Sequence, residues 1–173
     1  LANHKTTVEA MECLKNQKNI DMLSHLGVLS EIEIASRYEI LLENYNKTLR
    51  VEALTALRMA QNQIYPASVR YLKEIAMTSA SVKENGINNH YLVDDVQDLS
   101  ELLGAMKEKM INLQVMIDKA ENTNGNVKEK AIVWKEDVLP AMDTLRAVVD
   151  NIETKVDEKY WPMPSYVDLL FGI

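Results

Sequence analysis

Between Glu31 and Glu84 the chain has no glycine and one proline, Pro66, and apolar residues return every three or four positions along it. So long a stretch without breakers, patterned at the helical period, commits the backbone to helix, because strands need alternation and frequent turns. Ile34, Tyr38, Leu41 and Tyr45 form a first stripe, and Ala53, Leu57, Ala60, Ile64, Ala67, Tyr71, Ile75, Thr78 and Val82 a second. The stripe changes phase near Arg50, which predicts a bend or a change of packing partner there. Pro66 lacks an N–H and crowds the preceding turn, so one kinked helix or two in succession are expected.

Turn chemistry divides the remainder. Asn85-Gly86-Ile87-Asn88-Asn89 tolerates positive φ and turns the chain back. Leu92, Val96, Leu99, Leu103, Met106, Met110, Leu113, Ile117 and Ala120 come next, alternating four and three apart over about four heptads, a seam that requires a partner helix. Thr123-Asn124-Gly125-Asn126 breaks it, and Asn126 with Glu129 caps a further helix bearing Val127, Ala131, Trp134, Val138, Ala141, Leu145, Val148 and Ile152. Two such helices of about 30 residues, near 45 Å each and joined by a short turn, lie antiparallel. Pro140 sits in the last helix much as Pro66 sits in the first, and both predict kinks.

Ahead of Glu31, Thr6 with Glu9 opens a helix to about Lys15, a second begins after Asn19 and stops at Gly27, and Ser30 with Glu33 repeats the capping spacing. Beyond Lys159, Pro162 and Pro164 predict an extended tail whose aromatic and aliphatic groups are too many to leave in water. The fold class is therefore all-α: an up-and-down antiparallel bundle of three long helices, with short N-terminal helices and an extended C-terminal tail. The expected divisions are 1–29 for the short helices and a connection from an upstream domain, 30–159 for the bundle and 160–173 for the tail. The chain opens on Leu1 rather than Met, which raises the same expectation of an upstream domain.

Composition narrows the functions available. A formal net charge of -7, with Lys and Arg dispersed among Asp and Glu, excludes the basic patch that nucleic acid or an anionic membrane requires. No apolar run approaches the roughly 18 residues that span a bilayer. Cys13 is the single cysteine, so no internal disulfide forms, a reducing cytoplasm is expected, and a buried inert thiol is the reading for Cys13 itself.

No catalytic, cofactor or metal site is legible. His4, His25 and His90 lack the i, i+3 or i, i+4 pairing of zinc ligands, and Asp21 with His25 reads as a local polar pair. The Glu-x-x-His pairs of bundle di-iron centres do not occur. Asp94, Asp95, Asp98 and Glu101 crowd the start of a helix, where the macrodipole favours negative charge, without a calcium-loop pattern. The Gly-x-Ser-x-Gly elbow, the phosphate loop and the Gly-x-Gly-x-x-Gly turn are all missing from the sequence. Tyr38, Tyr45, Tyr71 and Trp134 fall on apolar stripes at core spacing, and the nine methionines read as adaptable packing.

The tail Lys159-Tyr160-Trp161-Pro162-Met163-Pro164-Ser165-Tyr166-Val167-Asp168-Leu169-Leu170-Phe171 closely resembles the extreme C-terminus of type III glutamine synthetases, the large bacterial form of that enzyme. Ser36-Arg37-Tyr38-Glu39-Ile40-Leu41-Leu42-Glu43-Asn44-Tyr45 is similar to the same family, as is Leu139-Pro140-Ala141-Met142 followed by Leu145-Arg146-Ala147. The run from Lys18-Asn19-Ile20 to Gly27-Val28 looks like the approach to that region, and the stretch from Lys83 to Asp95 is the least family-like. Val167 stands where a glycine is expected, which touches only the local turn.

The resemblance implies a parent enzyme that joins ammonia to glutamate with ATP, through a γ-glutamyl phosphate, using a divalent metal (Mg or Mn) held by glutamates upstream of this chain. None of those motifs occurs in the present residues. This segment is then a non-catalytic helical domain supporting the catalytic domain or a homo-oligomeric ring. Tyr160, Trp161, Pro162, Tyr166, Leu169, Leu170 and Phe171 are its candidate docking residues. The alternative, which the heptads alone permit, is a free-standing helical oligomerisation or adaptor module without enzymatic activity.

Overall fold

The computed structural model describes residues 3–164 and 166–172, omitting the side chains of Tyr166 and Val167. Among the described residues all regular structure is helical, as the periodicity predicts. α1 spans Thr7–Glu12 and continues as a 3-10 turn, Cys13–Lys15. α2 spans Gln17–His25 and α3 Glu31–Met59. A π-helical turn, Ala60–Ile64, leads into α4, Tyr65–Glu84. α5 spans His90–Glu121, α6 Val127–Val133, and a second π turn, Trp134–Val138, leads into α7, Leu139–Glu153. α8 spans Tyr166–Phe171.

The capping signals act as the spacing predicts. Thr6 accepts from the Glu9 N–H. Ser30 and Glu33 bond reciprocally, the Ser30 N–H to the carboxylate at 2.8 Å and the Glu33 N–H to the hydroxyl at 3.3 Å. Asn126 and Glu129 close the same box. Gly27, at φ +66, ends α2 by letting the Val28 N–H reach back to Leu23 O. α2 starts earlier than expected, because Asn16 caps it by accepting from the Lys18 N–H, while Asn19 spends its side chain on Cys13 O.

Both prolines are accommodated by the same device. The Tyr65 N–H bonds to Ala60 O and the Leu139 N–H to Trp134 O, each five residues back, directly before Pro66 and Pro140. Widening the turn absorbs the donor that proline lacks and the room its ring needs. Beyond Pro66 the wide turn leaves the helix rotated back. Ser68 is fully buried, its hydroxyl donating to Ile64 O at 2.9 Å, and Leu72 and Ala76 join Tyr71 and Ile75 as half-buried residues. Thr78, expected in the stripe, is exposed for the same reason.

The stripe keeps one phase through Arg50, while the expected change of packing partner falls close by, where α3 passes from one compact unit to the other after Leu54. Ile34, Tyr38, Leu42, Leu49, Ala53 and Leu57 form one continuous buried stripe, in which Leu42 replaces the exposed Leu41 and Leu49 bridges the two expected sets. The tail expectation also needs correction. Pro162 and Pro164 hold the chain out of helix only as far as themselves, and Tyr166–Phe171, free of proline, forms α8.

The chain divides into two compact units, Leu1–Leu54 with Val115–Pro140, and Thr55–Gln114 with Ala141–Ile173. In the first, Val8, Tyr38, Leu42 and Ala131 make a core flanked by Met11, Tyr45, Val127 and Ile132. Lys128 pairs with Glu12 and Lys135 with Glu9, both at 2.9 Å, so α1 lies antiparallel along the helix that begins at Val127. Arg50 reaches Glu121 at 2.6 Å, and Lys119 reaches Asp137 at 2.7 Å. In the second unit α4 and α5 are antiparallel: Lys107 lies 5.4 Å from the Tyr65 ring, while Tyr71, Ile75, Leu92 and Leu99 line one cleft. α7 runs with α4, giving an up-down-up arrangement over Leu103, Met106, Met110, Leu145 and Ile152.

Candidate functional site

The helix of α7 ends at Glu153, and Asp157 organises the turn beyond it. Its carboxylate accepts from the Lys159 N–H and its carbonyl from the Tyr160 N–H, both at 2.8 Å. That turn delivers Tyr160 onto α4, where its ring lies 5.5 Å from Tyr71 at an interplanar angle of 51°, a tilted pair of ordinary aromatic geometry. Trp161 is half-buried, and its indole N–H is enclosed without a hydrogen-bond partner. Met163 is half-buried and Pro162 exposed.

The end of the chain behaves differently. Leu169, Leu170 and Phe171 on α8 are 67%, 73% and 71% exposed, three consecutive large apolar groups left in water. Of the expected docking residues, the structure thus seats Tyr160 and Trp161 on their own unit and presents Leu169, Leu170 and Phe171 outward. The Tyr166 side chain lies outside the described residues. In the sequence these residues form one aromatic and aliphatic set. The prolines and Asp157 are the signal that separates them.

Other polar constellations are structural. Tyr38 donates to Glu12 at 2.6 Å, and Lys15 lies 4.6 Å from the Tyr38 ring. Burial, with the Glu12 carboxylate beside it, pushes the Tyr38 hydroxyl well above the usual tyrosine range, and the Tyr38 and Lys128 donors hold Glu12 below the usual carboxylate range. Lys135 lowers Glu9 and is itself raised by it. Burial raises Tyr45. Asp21 accepts from Gln17 at 2.9 Å, Asp98 pairs with Lys155 at 2.9 Å, and Glu101 accepts from Gln97. Cys13, expected to be buried, is half-buried with its Sγ 3.1 Å from His4 Nε2. Among the described residues no three His, Cys, Asp or Glu side chains converge as metal ligands, and no helix is long and apolar enough to cross a membrane.

Comparison with known proteins connects this helical scaffold to a family. A family model described as the glutamine synthetase C-terminal domain matches residues 1–83, ending where the sequence becomes least family-like. Over those residues the chain carries the C-terminal domain of glutamine synthetase. The type-3 glutamine synthetase of Dictyostelium discoideum is 30% identical over 178 aligned positions, covering 99% of this chain and 24% of that protein. A glutamine synthetase of Butyrivibrio fibrisolvens is 29% identical, over 100% of this chain and 25% of the relative. One of Bacteroides fragilis is 29% identical, over 83% and 20%. The chain thus spans about a quarter of the length of the curated relatives it matches. The resemblance carried by the tail and by Ser36–Tyr45 is borne out by matches that run the whole chain.

Proposed function

We propose that this domain is the non-catalytic C-terminal part of a bacterial type III glutamine synthetase, bracing the catalytic domain and a homo-oligomer in the cytoplasm. The parent enzyme makes glutamine from glutamate and ammonia with ATP. The observation that carries this reading is coverage: relatives named glutamine synthetase match essentially all of this chain, while the chain accounts for only about a quarter of each. In this reading ATP and its divalent metal (Mg or Mn) belong to the remaining three quarters of such a protein, as the resemblance implies.

Within that role, Tyr160 and Trp161 anchor the tail and α8 meets a neighbouring copy through Leu169, Leu170 and Phe171. Three adjacent apolar groups at about 70% exposure favour a covered end state. The test is ATP-dependent glutamine formation by the full reading frame, beside the same protein terminated before Ser30. An inactive full protein defeats the family reading, and equal activity in both defeats a supporting role. Phe171→Ala is expected to leave folding intact and weaken assembly, measured as mass in solution. Trp161→Ala is expected to lower the melting temperature.

A further inference from the structure

α2 is amphipathic but buries nothing completely. Ile20 and Leu23 are half-buried, while Met22 is 51% and Leu26 65% exposed. The apolar surface continues through the turn into α3, with Val28 at 61% and Ile32 at 82%. These groups are held in place. The Gly27 turn locks Val28 onto Leu23 O, Ser24 donates its hydroxyl to Leu29 O at 3.2 Å, and the Ser30–Glu33 box fixes the start of α3. Exposed apolar groups held at fixed positions within one short stretch, interspersed with the exposed polar Lys18, Asp21, His25 and Glu31, have the composition of an interface core with a polar rim.

We propose that this patch is the surface on which the domain seats the catalytic part of its own polypeptide, an inference that rests on the function proposed above. The occupant is fixed by length and position. The family is a C-terminal domain, the relatives are about four times as long as this chain, and the patch lies within its first 32 residues, beside the point where the remainder of such a protein enters. The remainder joins the chain within roughly 20 residues of the patch, so it is covalently held near it, an advantage that an untethered second copy lacks.

The full-length enzyme carrying Leu26→p-benzoylphenylalanine, assembled from mixed isotopically heavy and light chains, tests this by irradiation. The expected product joins position 26 to a peptide upstream of Leu1 bearing the same isotope. Its yield should be at least tenfold above that from the same replacement at Met77, an exposed residue of the other unit. Ile32→p-benzoylphenylalanine repeats the test should the first variant fold poorly. Mixed-isotope products would mean that a second copy covers the patch, and a yield no higher than at Met77 would mean that nothing does. Either result overturns the proposal. Glutamine formation by the same protein before irradiation reports separately on the functional reading.

Discussion

Gly125→Ala should stabilise the protein only when Glu129 has been removed. Gly125 lies outside the positive-φ glycines, so alanine fits its backbone and should contribute about 0.4–1 kcal/mol by restricting the unfolded chain. In the native turn, however, the new β-carbon would run into Glu129 Oε2 and lie 3.1 Å from Glu129 Cβ. The carboxylate must then swing away, breaking its 3.0 Å bond to the Asn126 N–H. One exposed hydrogen bond of this kind contributes about 0.5–1 kcal/mol, which offsets the gain. With Glu129→Ala in place the carboxylate and its bond are gone and only the 3.1 Å approach to the retained β-carbon of residue 129 remains, so most of the gain should appear. The double-mutant cycle therefore has a coupling of about 0.5–1 kcal/mol, read from urea midpoints followed by circular dichroism at 222 nm. Equal stabilisation in both backgrounds would refute the reciprocal cap.

Leu113→Ala, at a fully buried seam position, should cost about 2–5 kcal/mol and lower the melting temperature by roughly 4–20 °C, as scanning calorimetry would show. Trp161→Phe removes an enclosed indole N–H that has no partner, so thermal unfolding should move by less than about 1 kcal/mol in either direction. The Tyr38–Glu12 bond sets a pH dependence at both ends. Below about pH 4.5 the unfolded Glu12 takes up a proton that the native state resists, so stability falls with acid. Above about pH 10 the unfolded Tyr38 loses a proton that the native state keeps, so stability falls again. Tyr38→Phe should flatten both limbs in pH-resolved urea titrations.

The long helices, their caps and the α5 seam were legible because each rests on local chemistry: breakers, hydroxyl and carboxylate spacing, and an unbroken three-four alternation. What escaped the sequence depends on geometry that spacing does not carry. Leu41 and Leu42 are both apolar, and only packing shows that the second faces Val8 and Ala131. The π turns leave no mark in composition, so spacing places Thr78 in the stripe and gives no sign that Ser68 is buried. In the tail, aromatic content marks one segment without dividing it. The separation of Tyr160 and Trp161 from Leu169, Leu170 and Phe171 comes from a turn at Asp157 and a six-residue helix that begins only past the two prolines.

The wide turn at Ala60–Ile64 also governs how this chain can change length. Losing one residue from an ordinary helix swings everything after it by about 100° and pulls its apolar face out of the core. Losing one from this turn would instead tighten π to α and leave Leu57 on one side and Ser68 on the other still facing inward. Pro66 would then crowd the carbonyl four residues before it. A homologue one residue shorter here is expected to have lost the proline as well, and one that keeps the proline to have kept the extra residue.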